Sequence, residues 1–82
     1  MAEVASAHDA VRRFLVDTFF VDDLDPEASF LETGVIDSTG MLELVMFLET
    51  SYGFKLADEE LVPENLDSLN RVAALIERKT RT

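Results

Sequence analysis

Cysteine is absent from this chain, so it holds no disulfide framework and no thiolate metal site. Basic residues are scarce: 7 Lys+Arg stand against 17 Asp+Glu, a formal net charge of −10. Phosphate contacts need a basic footprint, so this balance argues against nucleic acid and against anionic membrane surfaces. Long apolar runs are missing as well. The longest, Leu44-Val45-Met46-Phe47-Leu48, is far short of a membrane span, and no membrane insertion is expected. The opening residues Met1-Ala2-Glu3-Val4-Ala5 lack the basic and apolar regions of a signal peptide, so a cytoplasmic protein is expected. His8 is the only histidine and reads as a solvent-facing polar residue rather than a ligand. With 3 Gly and 2 Pro, no linker, repeat or low-complexity tract interrupts the chain.

What is present is a folding composition, 48% hydrophobic and 29% charged. A chain of 82 residues makes one domain, residues 1–82. Such a chain buries only about 60% of its unfolded surface, too little for a catalytic cleft with a lid and supporting shell. The acidity favours basic partner surfaces.

Apolar residues recur at helical steps over about 2–20, at Val4, Val11, Phe14, Leu15 and Thr18/Phe19. Asp25-Pro26 breaks that pattern. From Asp22 to Asp37 the spacing has no clean period. It predicts a long ordered loop pinned by Leu24, Phe30, Leu31 and Ile36, and loops of that length are often functional. Helix returns at Ser38 and runs to Tyr52, with Asp37 or Ser38 as its cap and Gly53 as its stop. Met41, Leu44, Val45, Leu48 and Tyr52 share one stripe of this helix. Thr39, Leu42, Glu43, Met46 and Glu49 share another, whose mixed apolar and acidic character suits contact with a partner. A short segment at 57–61 and a turn at Pro63-Glu64-Asn65 follow. The last helix covers about Ser68 to Lys79, with Asp67 as its expected cap and Leu69, Val72, Ala73 and Ile76 as its core stripe. Arg78, Lys79 and Arg81 suit its dipole. The expectation is an all-α fold, a small four-helix bundle of three longer helices and one short one, with a long loop between the first two.

Few constellations carry chemistry. A calcium loop starting at Asp23 would place Ala28 where Gly is needed and Gly34 where a bidentate Glu is needed, so it fails twice. No metal site and no phosphate-cradling glycine loop is expected. The feature left over is Gly34-Val35-Ile36-Asp37-Ser38, which closes the long loop and opens a helix. A phosphate esterified to Ser38 would meet free amides and a favourable field. On local chemistry alone, Asp37-Ser38 reads equally as a plain helix cap.

The order of these parts resembles the acyl carrier protein family, together with its peptidyl and aminoacyl relatives. The likeness centres on Phe30-Leu31-Glu32-Thr33-Gly34-Val35-Ile36-Asp37-Ser38 and on Leu42-Glu43-Leu44-Val45-Met46-Phe47-Leu48-Glu49. It implies a monomeric carrier, not an enzyme, whose Ser38 receives 4′-phosphopantetheine from CoA by way of a phosphopantetheinyl transferase. The arm would bring its own thiol and carry an acyl group as a thioester. That group would be loaded by an acyl- or aminoacyl-activating ligase and passed to downstream acyl-transfer or synthase enzymes in fatty acid biosynthesis or secondary metabolism. The resemblance gives Asp37 and Thr39 as motif neighbours of Ser38. It gives Leu42, Glu43, Met46 and Glu49 as the face that partners recognise.

Asp67-Ser68-Leu69 matches the family's Asp-Ser-Leu motif more closely than Asp37-Ser38-Thr39 does. It opens the final helix among basic residues, however, and reads as a cap. Thr39 stands where the family usually has leucine, and Gly40 stands where many fatty-acid carriers have an acidic residue. Gly40 is expected to alter the surface a partner reads. With Thr50-Ser51-Tyr52 in a region where fatty-acid carriers are more acidic, these departures point to a specialised stand-alone carrier. The core around Met41, Leu44, Leu48 and the apolar loop residues is a candidate shelter for a short acyl chain. An aminoacyl carrier of a nonribosomal-peptide-type pathway and an unmodified acidic helical adaptor are the alternatives.

Overall fold

A computed structural model describes residues 3–21 and 24–80, with side chains described from Ala7 onward. The expectations for the side chains of Glu3 and Val4, and for Asp22, Asp23 and Arg81, fall outside what it describes. Helix α1 spans Glu3–Phe19. Ala7, Val11 and Leu15 recur every fourth residue and are buried, so one stripe of α1 faces inward, mainly onto the last helix. Phe14 lies beside that stripe and stacks on Phe47 at 4.3 Å between ring centroids. The Phe20 N–H donates to the Val16 carbonyl at 3.0 Å, and Phe20 itself closes the helix with φ +57°.

The long connection is ordered and carries a one-turn helix of its own, α2 at Phe30–Thr33. Ser29 caps it by accepting from the Glu32 N–H at 3.0 Å. Leu24, Phe30 and Ile36 pin the segment to the core as expected. Leu31 does not: it is 47% exposed, because the turn of α2 that buries Phe30 points the next side chain outward. Further bonds tie this connection to residues far along the chain. The Phe30 N–H donates to the Asp67 carbonyl at 3.0 Å, and the Leu31 N–H donates to the Asp67 carboxylate at 3.0 Å. The Ser29 hydroxyl donates to that same carboxylate. The Asn70 N–H donates to the Pro26 carbonyl at 3.0 Å.

Helix α3 spans Ser38–Tyr52. Leu44 and Leu48 are fully buried, while Met41, Val45 and Tyr52 of the same stripe pack partly against the core. Phe14 meets Phe47 and Phe19 meets Gly40, so α1 and α3 run antiparallel. Gly53 ends α3 with φ +75°, a left-handed conformation that glycine adopts at no steric cost. A 3₁₀ turn at Asp58–Glu60 follows, then helix α4 at Pro63–Leu66 and helix α5 at Leu69–Thr80. Leu69, Val72, Ala73, Leu75 and Ile76 of α5 are buried.

The cap of α5 differs from expectation. The Ser68 hydroxyl accepts from the Arg71 N–H at 3.1 Å, whereas Asp67 is committed to Ser29 and Leu31. The cations near its end serve tertiary contacts. Lys79 pairs with Glu60 at 3.0 Å, and Arg78 donates to Asn65 at 2.8 Å. His8 is not simply solvent-facing, since its Nε2 lies 3.0 Å from the Asn70 Oδ1 and links α1 to α5. The described residues contain no strand and no helix long and apolar enough to cross a membrane.

Candidate functional site

The site is built around the start of α3. Asp37 is extended, with φ −95° and ψ −173°. Its carbonyl accepts from the Met41 N–H at 2.9 Å and its carboxylate accepts from the Gly40 N–H at 2.8 Å. Asp37 is therefore the cap, and the Ser38 hydroxyl is not needed for that role. Ser38 and Thr39 are exposed on the first turn, where the helix dipole favours negative charge. Because α3 is 15 residues long, its aligned peptide dipoles end beneath Ser38.

Beside Ser38 lies an apolar groove of about 260 Å³ between α3 and α4. Met41, Leu42 and Val45 of α3 form one wall. Leu61, Val62, Pro63 and Leu66 form the other, and Leu31 of α2 closes one side. The expected shelter among Met41, Leu44 and Leu48 is thus displaced. Leu44 and Leu48 are sealed in the core at 0% exposure, whereas Met41 and, from the loop, Leu31 reach the groove. Leu42 and Met46 stand out at 62% and 66% exposure.

No family model matches the chain. It is 28% identical over 76 residues to an acyl carrier protein of Solidesulfovibrio magneticus, a match that covers 90% of this chain and 95% of that protein. Over nearly its whole length the chain is similar to an acyl carrier protein. Two Asp-Ser pairs compete for the family's motif, and their surroundings differ. Ser38 is exposed, whereas Ser68 is only 3% exposed with its hydroxyl spent on the Arg71 N–H.

Other residues that the acyl carrier resemblance singled out fall in different environments. Leu42, Glu43 and Met46 are exposed on one face of α3. Glu49 is half-buried, and its Oε2 accepts from the Leu56 N–H at 2.9 Å, so its carboxylate holds the segment that follows Gly53. Gly40 is not a surface position. It is buried, and a Cβ there would lie 2.7 Å from the Phe19 Cε1 and 3.0 Å from the Ile36 Cγ2. The missing side chain has a packing cause.

Titration is perturbed away from Ser38. Glu60 is held below the usual carboxylate range by the Ala57 N–H and then by Lys79, and burial raises the Tyr52 phenol. Among the described residues no group of three or more His, Asp or Glu side chains is placed to hold a metal. Leu31, one of the apolar loop residues expected to help shelter a chain, lines the groove, and so does Leu61, which the sequence did not single out. The only local signal at Leu61 is an apolar side chain after the acidic run Asp58-Glu59-Glu60.

Proposed function

We propose that this protein is an acyl carrier, not an enzyme, modified on Ser38 with 4′-phosphopantetheine donated by CoA. The observation that carries this reading is the contrast between the two motif serines. Ser38 presents its hydroxyl to solvent at the start of a long helix, while Ser68 is buried as a cap. The residues fit such an arm. A phosphate on Ser38 would lie at the positive end of α3, and the groove would take apolar atoms next to it. The bound arm supplies a thiol on which an acyl group rides as a thioester. The chain's own part is to hold Ser38 outward, to offer apolar shelter worth at most about 0.8 kcal/mol per buried methylene, and to present a docking face. Tethering raises the effective concentration of cargo at each partner.

Leu42, Glu43 and Met46 form the proposed docking face for the phosphopantetheinyl transferase, for an acyl-activating ligase and for downstream synthases. Its single carboxylate and two exposed apolar side chains suit a partner patch that is basic at one point and apolar around it. Thr39 and the run Thr50-Ser51-Tyr52 favour a specialised carrier over the housekeeping one of fatty-acid synthesis. Gly40 drops out of that argument because it is buried.

The test is intact-mass measurement after incubation with CoA and a broad-specificity transferase. The wild type gains one phosphopantetheine, Ser38→Ala gains none, and Ser68→Ala gains one. An unchanged wild-type mass would support an unmodified adaptor. Loss of the gain in Ser68→Ala alone would move the site.

A further inference from the structure

Gly40 stands two residues after Ser38, in the first turn of α3, and is buried there. The Phe19 ring rests directly on its backbone: a Cβ at this position would lie 2.7 Å from Cε1 and 3.0 Å from Cζ of that ring. Phe19 is held in turn by an edge-to-face contact with Phe14, at 5.9 Å and 82°, and Phe14 stacks on Phe47. Helix α1 thus grips α3 at two places, once at mid-helix through Phe47 and once at the turn that displays Ser38. Gly40 carries both restraints on that turn, because its N–H also donates to the Asp37 carboxylate at 2.8 Å. Helix ends fray when only a cap holds them, and the ring supplies the second hold.

We infer that Phe19 is a positioning residue for Ser38: its ring, seated on Gly40, holds the first turn of α3 in the orientation the modifying transferase accepts. The inference rests on Ser38 being the site of modification. Its physical content is a population effect. If the turn samples several orientations, only a fraction of molecules are competent, and the apparent affinity falls by that fraction while the rate of the bound complex is unchanged.

The experiment uses the full chain, CoA and a broad-specificity transferase. Initial rates are read by intact mass at several carrier concentrations, at a temperature where circular dichroism shows each variant folded. Phe19→Leu shortens the side chain and withdraws the ring. A fall of the competent fraction to about a tenth raises KM about tenfold, with kcat within about twofold of wild type. Gly40→Ala displaces the ring from below and gives the same split. It removes no apolar surface, so it carries the test should Phe19→Leu not fold. In the double variant the new methyl takes space the ring has left, only its 3.0 Å approach to the Ile36 Cγ2 remains to be relieved, and KM returns part of the way toward wild type. A folded Phe19→Leu or Gly40→Ala with wild-type KM would overturn the inference. So would a loss confined to kcat. A wild type that gains no mass overturns the carrier reading itself, a separate result visible before any variant is made.

Discussion

Replacing Ser68 by alanine tests the assignment of the two serines through stability. Ser68 is 3% exposed, and its hydroxyl accepts the Arg71 N–H at 3.1 Å, in the first turn of α5. Alanine removes that acceptor and leaves the amide with no side-chain partner. Loss of a serine cap costs roughly 1 kcal/mol, within a range of about 0.5–2. The bond is part-buried, so the cost is taken near the middle of that range rather than at the level of a sealed donor. For a domain of this size, 1 kcal/mol moves Tm by roughly 4–8 °C. Ser38→Ala behaves differently. Ser38 is exposed and Asp37 supplies the cap, so the change stays within about 0.5 kcal/mol. Thermal unfolding followed by circular dichroism at neutral pH separates the two. If Ser68→Ala melts with the wild type, or Ser38→Ala loses as much as Ser68→Ala does, the assignment of cap and display positions is wrong.

Asp37→Ala removes the carboxylate that accepts the Gly40 N–H and is expected to cost about 1 kcal/mol in a denaturant titration. Phe20→Gly is expected to stabilise the chain by about 0.5 kcal/mol. The left-handed φ of +57° costs a non-glycine residue roughly 1–2 kcal/mol, the ring is 83% exposed and contributes little burial, and the entropy of an added glycine offsets part of the gain. A lower Tm for Phe20→Gly would show that the ring does more than sit in solvent. Glu60 is held below the usual carboxylate range by the Ala57 N–H and by Lys79. Its contribution to stability is therefore complete above the ordinary glutamate pKa and is lost as pH falls through the lowered folded value. Wild type and Glu60→Gln should differ most at neutral pH and converge in acid, as read by Tm against pH.

Where local chemistry decides, the sequence was legible. The bounds of α3, Ser38–Tyr52, follow from an aspartate cap and a glycine stop, signals that act within one turn. The buried stripe of α5 follows from its period. Helix α2 escaped notice because a four-residue helix has no period to show, although Ser29 followed three residues later by Glu32 is a start signal that fits it. Asp67 was misassigned for a different reason. It looks like a cap in sequence, but its carboxylate is claimed by Ser29 and Leu31, more than thirty residues earlier. Gly40 and Glu49 share that cause. One is emptied by a ring from another helix and the other is turned inward to a loop amide, and neither partner is visible from neighbours in the chain. The groove was misplaced because the stripe that closes the core and the stripe that opens on α4 share Met41 and Val45.

The bonds between the long connection and the start of α5 bear on how this molecule moves. Asp67 holds Ser29, Phe30 and Leu31, and Asn70 holds Pro26. The segment leading to Ser38 is thereby stitched to the junction of α4 and α5, so hydrogen exchange at Phe30 and Leu31 is expected to be slowed together with the amides of that junction. Under the carrier reading proposed above, the protein end of the tether would be an anchored post, and the travel between partners would belong to the arm and to the tumbling of the whole molecule.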